Sequence, residues 1–440
     1  MLVKNRQGVA TVTGNPELGA VLRDLRKSRH LTLAAVARHA GCAESLVSYV
    51  ESGGRQLHPW LAAKLDDLYR TGGVVAALMR GMYGNTPTTG GSGTPQSEIL
   101  MVELPGGGAP MPLSRRELMA TLSIGIASSA LHSEFERALD SVPVNGDTLQ
   151  WFENAYAAFR AASRTLPPAQ LFDGLTGHVA VLDGLRRRAN SSDRPRCSHL
   201  QARYAETLSW LSEEAGNLSG AMYWIDRASQ WGQAANWHAM SAYGFVRRSM
   251  VVVRFSGDGL RAVDHARATF EMPDVSPRMK GLAAKGMAIG YALNGDEPAS
   301  SRALDDAMRL LSMPAREDDV VLDQLGVVND DLFAIYRATC DISLGRGEQV
   351  VPVLEPHLDS VSPSSARWAT ITRAKLARAY ANAGQPEEAA KLSLAALDDI
   401  DRIGSFSARI ELKRALPVLR QWHGREDVQA VAHRLTTTNA

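Results

Sequence analysis

Six glycines, Gly216, Gly257, Gly295, Gly345, Gly384 and Gly424, stand 41, 38, 50, 39 and 40 residues apart, and this spacing constrains the fold more than any other feature of the chain. Self-similarity at such a period is the signature of a repeat array, in which each unit buries its apolar face only against its neighbours. Around each glycine, apolar residues recur at three- and four-residue spacing with few β-branched runs, so the repeated unit is a pair of helices joined at the glycine. The segments WLSEEAGNLSGAMYWIDRA, VVRFSGDGLRAVDHARA, YALNGDEPASSRALDDA and YANAGQPEEAAKLSLAA share that glycine, then a polar or acidic pair, then a small residue five positions on: Ala221, Ala262, Ser300 and Ala389. In three of them a second alanine follows seven residues later, Ala228, Ala307 and Ala396, again on the packing side. Residues 201–440 are therefore expected to form an α-solenoid of helical hairpins. Residues 113–200 lack the glycine signature but keep helical patterning, including Gln150–Ala162 and Ala169–Arg188, and read as a helical cap on the array.

A different device stands near the N-terminus, in LGAVLRDLRKSRHLTLAAVARHAGCAESLVSYVESG over 18–53. Leu18, Val21, Leu22 and Leu25 predict a lead-in helix, and Thr32 is placed to cap a second helix whose Val36, Ala37 and Ala40 form one apolar face. Gly41 ends that helix, and Gly41-Cys42-Ala43 turns sharply into a third, Glu44 to Ser52, with Val47 and Val50 inward. Two short helices across a tight turn after a longer one make a DNA-reading device.

This arrangement resembles the helix-turn-helix of phage-repressor-like (XRE-type) transcription regulators. The resemblance covers residues 17–82, with Pro59–Tyr69 and Val74–Met82 as fourth and fifth helices, inside a domain expected over 1–84. It is carried by LRDLR, by Leu31-Thr32 ahead of helix two, by the two alanines and Gly41 of the turn, and by VSYVESG. It implies an all-α domain in which Arg26 pairs with Glu51. It also implies a recognition helix in the major groove of double-stranded DNA, with Ala43, Glu44, Ser45 and Tyr49 at base edges. Leu33, Ser48, Ser52 and Arg55 complete the expected DNA-contacting set. Glu44 can accept from a cytosine amine, Ser45 and Ser48 can serve a base or a phosphate, and Ala43 can touch a thymine methyl. Two positions depart from the family: Leu33 stands where a glutamine is common, and Ala43 replaces a capping serine or threonine.

Charge bears on how such a module would hold DNA. Residues 1–70 carry ten Lys/Arg (Lys4, Arg6, Arg23, Arg26, Lys27, Arg29, Arg38, Arg55, Lys64, Arg70) against six Asp/Glu, a balance of +4. Each neutralised phosphate steepens the salt dependence of binding by roughly 0.9 log units per log unit of salt, so a weakly basic module is expected to work as a homodimer. The whole chain of 440 residues has net charge +1, with 45% hydrophobic and 22% charged residues, which fits a soluble protein of more than one domain. Its three cysteines, Cys42, Cys197 and Cys340, are too few and too scattered for a disulfide framework or a metal cluster, which points to the cytoplasm and, with DNA binding, to the nucleoid.

Residues 85–112 are rich in Gly, Pro, Ser and Thr and are expected to be a linker, apart from a β-prone apolar island at Ile99–Leu104. Ser114-Arg115-Arg116 and the apolar run behind it look like a twin-arginine export signal. They follow a complete DNA-binding module and fall short of the ~20 residues of a spanning helix, so a packing helix over Arg115–Leu131 is expected instead, with no membrane association.

The hairpin segments resemble the tetratricopeptide family, YANAGQPEEAAKLSLAA most closely. They depart in a period near 40 instead of 34, in one 50-residue interval, and in a weak last unit at Gly424. The resemblance implies a concave groove that takes a peptide, a small molecule or a partner protein. Two sets of residues are candidates for lining it. Trp210, Trp224, Trp231 and Trp237 lie in the most aromatic stretch of the chain, where large core residues explain the same pattern. Asn236, Asn329 and Asn382 are expected on first helices of hairpins; peptide-sensing Gram-positive regulators that join these two domain types clamp a peptide backbone with such asparagines. Arg186-Arg187-Arg188 and Arg247-Arg248 read as a helix terminus and a solvated basic face. No phosphate loop, H-E-x-x-H, C-x-x-C or nucleophile elbow is present, so no catalytic residue, metal or cofactor is expected.

These readings converge on a sequence-specific DNA-binding transcription regulator, dimeric and controlled through its repeat domain, of a kind seen in actinobacteria. The alternative is an interaction adaptor of the tetratricopeptide type whose helix-turn-helix is secondary or inactive.

Overall fold

The computed structural model describes residues 14–69, 71, 75–76, 78–79, 144–319, 330–363 and 365–437, with four short strands over 2–4, 10–12, 99–102 and 111–114. The fold is all-α, as expected. The strands form two isolated antiparallel pairs, β1 (Leu2–Lys4) with β2 (Ala10–Val12) and β3 (Ile99–Val102) with β4 (Met111–Ser114), Ile99 standing opposite Ser114. The second pair is built on the apolar island, so the Gly/Pro-rich stretch holds backbone structure of its own. Of the expected fifth helix, residues 75–76 and 78–79 are helical, and the rest lies outside the described residues, as do Arg115–Leu131 and Asn329. The chain divides into two compact units, Met1–Tyr204 and Ala205–Ala440.

In the first unit, α1 (Pro16–Ser28), α2 (Leu33–Ala40), α3 (Glu44–Glu51) and α4 (Pro59–Tyr69) enclose a small core of Leu18, Leu22, Val36, Val47, Val50, Leu61 and Leu65. After them come α5 (Gly146–Ala162), α6 (Phe172–Arg188) and the start of α7 (Asp193–Glu214). They pack an aromatic cluster in which the His178 ring sits 5.2 Å from Phe159 and 5.5 Å from Tyr204. The Tyr204 hydroxyl donates to the Phe152 carbonyl at 2.8 Å and lies 3.0 Å from His178 Nδ1, so the neutral imidazole carries its proton on Nδ1.

The second unit is the hairpin array. The end of α7 pairs with α8 (Leu218–Ala234), then α9 (His238–Phe255) with α10 (Gly259–Glu271) and α11 (Pro277–Leu293) with α12 (Glu297–Leu311). The array continues with α13 (Asp330–Ser343) and α14 (Gly347–Val361), α15 (Ala366–Asn382) and α16 (Pro386–Ile403), and α17 (Phe406–Leu419) and α18 (Glu426–Thr437). Every one of the six spaced glycines falls between the two helices of a hairpin, and the first five hold φ between 67° and 79°. At Gly384 the following N–H, of Gln385, returns to the Tyr380 carbonyl at 2.9 Å, which satisfies a helix-end acceptor and starts α16 within two residues. The polar residue directly after the glycine caps the second helix: Asp258 accepts from Arg261 N and Asp296 from Ala299 N. The small residues of the repeat, Ala221, Ala262, Ser300 and Ala389, are buried, as are Ala228, Ala307 and Ala396. After α12 the described residues 312–319 are tied down: Trp237 Nε1 donates to Asp318 O at 2.7 Å, and the Ser276 hydroxyl meets Asp319 Oδ1 at 2.5 Å.

The two ends of the array meet. Glu214 at the end of α7 accepts from the Ser405 hydroxyl at 2.7 Å, from the Ser407 hydroxyl, and from Arg367 at 3.4 Å, and all of these side chains are buried. Phe255 stacks on Phe406 at 4.6 Å, and Arg414 of α17 donates to the Val253 carbonyl of α9. The first helices of the hairpins, α9, α11, α13, α15 and α17, thus line a common cavity.

Candidate functional site

The recognition helix is assembled from local rules. Thr32 at the start of α2 accepts from Ala35 N at 3.2 Å, and Gly41 ends that helix at φ 70°, with its N–H on Ala37 and Arg38 carbonyls. Ala43 precedes α3 without a side-chain cap, as its methyl dictates, and Glu44 places an acid in the first turn, where it faces the positive helix end. Cys42 is half-buried in the turn, and desolvation raises its thiol above the ordinary range, the behaviour of a packing residue.

Behind the helix, Glu51 is 4% exposed and receives Arg26 through Nε at 2.7 Å and Nη2 at 2.8 Å, while Arg26 Nη1 reaches the Leu31 carbonyl at 3.0 Å. Arg23 adds a bond to the Glu51 carbonyl at 2.8 Å. One buried carboxylate therefore ties the end of α3 to α1 and to the turn before α2. The hydrogen bond to Glu51 raises the Arg26 pKa, outweighing burial, so the guanidinium stays charged. On the opposite face Glu44, Ser45, Ser48 and Tyr49 are exposed together, Tyr49 at 61%, with Ala43, Ser52 and Arg55 exposed at the two ends. Leu33 is half-buried, so it contributes packing as well as surface. Arg38 is also exposed at the end of α2, a cation that the sequence reading counted but did not place among the contacts.

In the second unit the cavity has a volume of about 540 Å³, within the ~300–1,000 Å³ of small-molecule sites. Its wall is made by the inner helices: Met250 and Arg254 of α9, Lys285 and Ile289 of α11, Tyr336 and Ile342 of α13, Ile371 and Lys375 of α15, Glu411 and Arg414 of α17. Glu411 is bound by Arg378 at 3.0 Å and Arg414 at 3.3 Å; burial pushes its carboxyl up and these arginines more than offset that, holding it below the usual range. Glu213 is held low in the same way by Arg254 and Arg247 against burial.

The residues singled out from sequence lie elsewhere. Trp237 is buried and anchors the α12–α13 connection. Trp210 lies under the Arg367 guanidinium at 5.6 Å. Trp231 and Tyr223 flank Arg227 on α8, and Trp224 meets Tyr223 edge-on at 5.0 Å. None of the four tryptophans lines the cavity, whose tryptophan is Trp368. Asn236 is not on a first helix: it occupies the turn before α9 with φ 57°, a left-handed position that asparagine tolerates. Asn382 ends α15 and donates to the Ile342 carbonyl at 3.0 Å, closing the end of α13. Arg247, read as part of a solvated face, is instead buried and paired with Glu213 at 2.8 Å. The sequence signal for the cavity was present in PRMKGLAAKGMAIGYAL, where Lys285 interrupts a run of glycine, alanine and apolar residues.

Residues 17–79 match the family model of a helix-turn-helix domain. The chain has no match among curated proteins. Among solved structures it is similar to a Signal Transduction ATPase with Numerous Domains (STAND) protein with a tetratricopeptide repeat sensor from Pyrococcus horikoshii, at 11% identity and a TM-score of 0.33, over 97% of this chain and 72% of that one. Among the described residues no helix is long and apolar enough to cross a membrane.

Proposed function

We propose that this protein is a cytoplasmic, sequence-specific DNA-binding transcription regulator of the XRE type, a homodimer on DNA, controlled by a ligand held in a tetratricopeptide-like repeat domain. It acts by binding, without catalysis. The observation that carries the reading is the two-faced α3: Val47, Val50 and Glu51 are buried and braced by Arg26, while Glu44, Ser45, Ser48 and Tyr49 form one exposed polar face. A rigid helix with its reading side chains free is what major-groove recognition requires, and the modest charge of the module favours two copies on paired half-sites.

Control follows from the closed array. Arg254 and Arg414 line the cavity, and Arg414 also makes one of the contacts that join α17 to α9. A ligand engaging them shifts the population between closed and opened arrays, and a dimer on half-sites ~34 Å apart responds steeply to any change in the spacing of its two heads.

The test is selection of genomic DNA fragments by the full-length chain at about 150 mM salt, followed by footprinting. The reading expects a few fragments protected over two inverted half-sites; protection of none moves the protein to the adaptor class.

A further inference from the structure

Among the described residues the cavity carries an excess of positive charge. Arg254, Lys285, Lys375, Arg378 and Arg414 line it against one carboxylate, Glu411. Glu411 is already shared by Arg378 and Arg414, and Glu213, behind Arg254, is shared by Arg254 and Arg247. Neither lysine has an ion pair among the described residues, and Lys375 feels Glu411 only through its charge at longer range. Lys285 is 8% exposed, and its ammonium has neither a hydrogen bond nor an ion pair among the described residues; it faces the Tyr336 ring, 4.8 Å from the centroid. The Lys375 ammonium meets the neutral Thr339 hydroxyl at 3.0 Å. Two buried hydroxyls on the same wall, Tyr336 and Ser249, also have no partner among the described residues. Ammonium groups and hydroxyls sequestered from water without acceptors are costly, and an acceptor entering the cavity removes that cost. The remaining wall, with Met250, Ile289, Ile335, Ile342 and Ile371, offers an apolar bed.

We propose that this cavity binds a small amphipathic anion, its acidic group held between Lys285 and Lys375 and its apolar body laid against the isoleucines. The proposal supplies the ligand class for the regulator described above, and only its effect on DNA binding rests on that reading. Burial, then the charges of Lys375, Arg254 and Arg247, bring the Lys285 ammonium down to about 8, and burial lowers Lys375 as well. The groups facing Lys285 are Arg247 and Arg254 on α9, Tyr336 and Cys340 on α13 and Lys375 on α15; burial pushes Tyr336 up to about 12 and Cys340 up to about 11. Near pH 8 Lys285 is therefore the group of this set that titrates. A bound anion favours the protonated ammonium, so binding takes up a proton and weakens as pH rises through about 8.

The probe is 8-anilinonaphthalene-1-sulfonate, an amphipathic anion that fluoresces in apolar surroundings, with N-phenyl-1-naphthylamine as its uncharged counterpart, titrated into the full chain. One saturable sulfonate site is expected, displaced by decanoate, with affinity reduced about tenfold in Lys285→Met and in Lys375→Met. Naphthylamine binding should be the same in all variants. Methionine keeps the side-chain length and removes a buried charge, and Lys285→Arg, which keeps the charge, should retain the preference for the anion. Between about pH 7 and pH 9 wild-type affinity should fall while that of Lys285→Met changes less. Sulfonate bound equally by wild type and the double variant, or no more tightly than the naphthylamine by wild type, overturns the proposal. Sulfonate bound as expected with operator affinity unchanged sustains the site and instead contradicts the control of DNA binding through it.

Discussion

Replacing Arg26 by methionine should detach the recognition helix from its brace. Glu51, 4% exposed, would lose two charge-assisted hydrogen bonds, at 2.7 and 2.8 Å, and keep only Arg23 Nε, 3.9 Å away on a side chain 43% exposed. Breaking a buried pair from one side costs ~3–5 kcal/mol because the remaining charge stays desolvated, and Arg23 together with the partial exposure of Arg26 places this case near the lower end, about 3 kcal/mol. Hydrogen exchange on the full chain reads this locally: protection of the Val21, Leu22, Val47 and Val50 amides should fall about 100-fold while that of α9–α18 is unchanged. A double change, Arg26→Met with Glu51→Leu, should recover at least half of the loss, since it leaves no orphaned charge. A fall of less than about fivefold in Arg26→Met, or a double variant as poor as the sum of the single ones, would refute the reasoning.

Other expectations follow from the same structure. Gly384→Ala should lower repeat-domain stability by about 1–2 kcal/mol in thermal melts, since φ is 72° with open space around it, whereas Gly424→Ala, whose φ is not in the left-handed range, should stay within ~0.5 kcal/mol. Burial lowers the His178 imidazole to about 4, so the unfolded chain binds the proton first as pH falls. The stability that neutral His178 contributes is complete above about pH 6.5 and lost towards pH 4, roughly 3 kcal/mol in the first unit, and His178→Phe should flatten that dependence in acid denaturation. Glu214→Gln should loosen the closure of the array by about 2–3 kcal/mol, read as faster exchange across Phe406–Leu419, because Arg367 and two serine hydroxyls lose a charged acceptor.

Much of the fold was legible because its signals are local. Glycines needing φ near 70°, the caps that follow them and the apolar spacing of each helix depend on neighbours in sequence, so the hairpins and the lead into α3 could be read directly. The closure of the array was not legible: Glu214 finds Ser405 and Ser407 through packing accumulated over five hairpins, and no residue near Glu214 announces it. The tryptophans drew attention by density, but density does not say which helix face points inward. Trp237 serves the irregular connection, and Trp224 and Trp231 lie on α8, an outer helix. Lys285 was readable only as an anomaly in an apolar helix; its meaning depends on Lys375 and Tyr336 arriving from two other hairpins.

The central claim is that the exposed face of α3 reads DNA. Its most direct test is the affinity of the full-length chain for a fragment it selects from the genome, measured by fluorescence anisotropy for wild type and for Glu44→Ala, Ser45→Ala and Tyr49→Ala combined. The account predicts that the triple variant keeps its helix content and melting profile and loses at least about 100-fold in affinity for that fragment, while binding to unrelated DNA at low salt persists. A correctly folded triple variant that binds the selected fragment as tightly as wild type would contradict it.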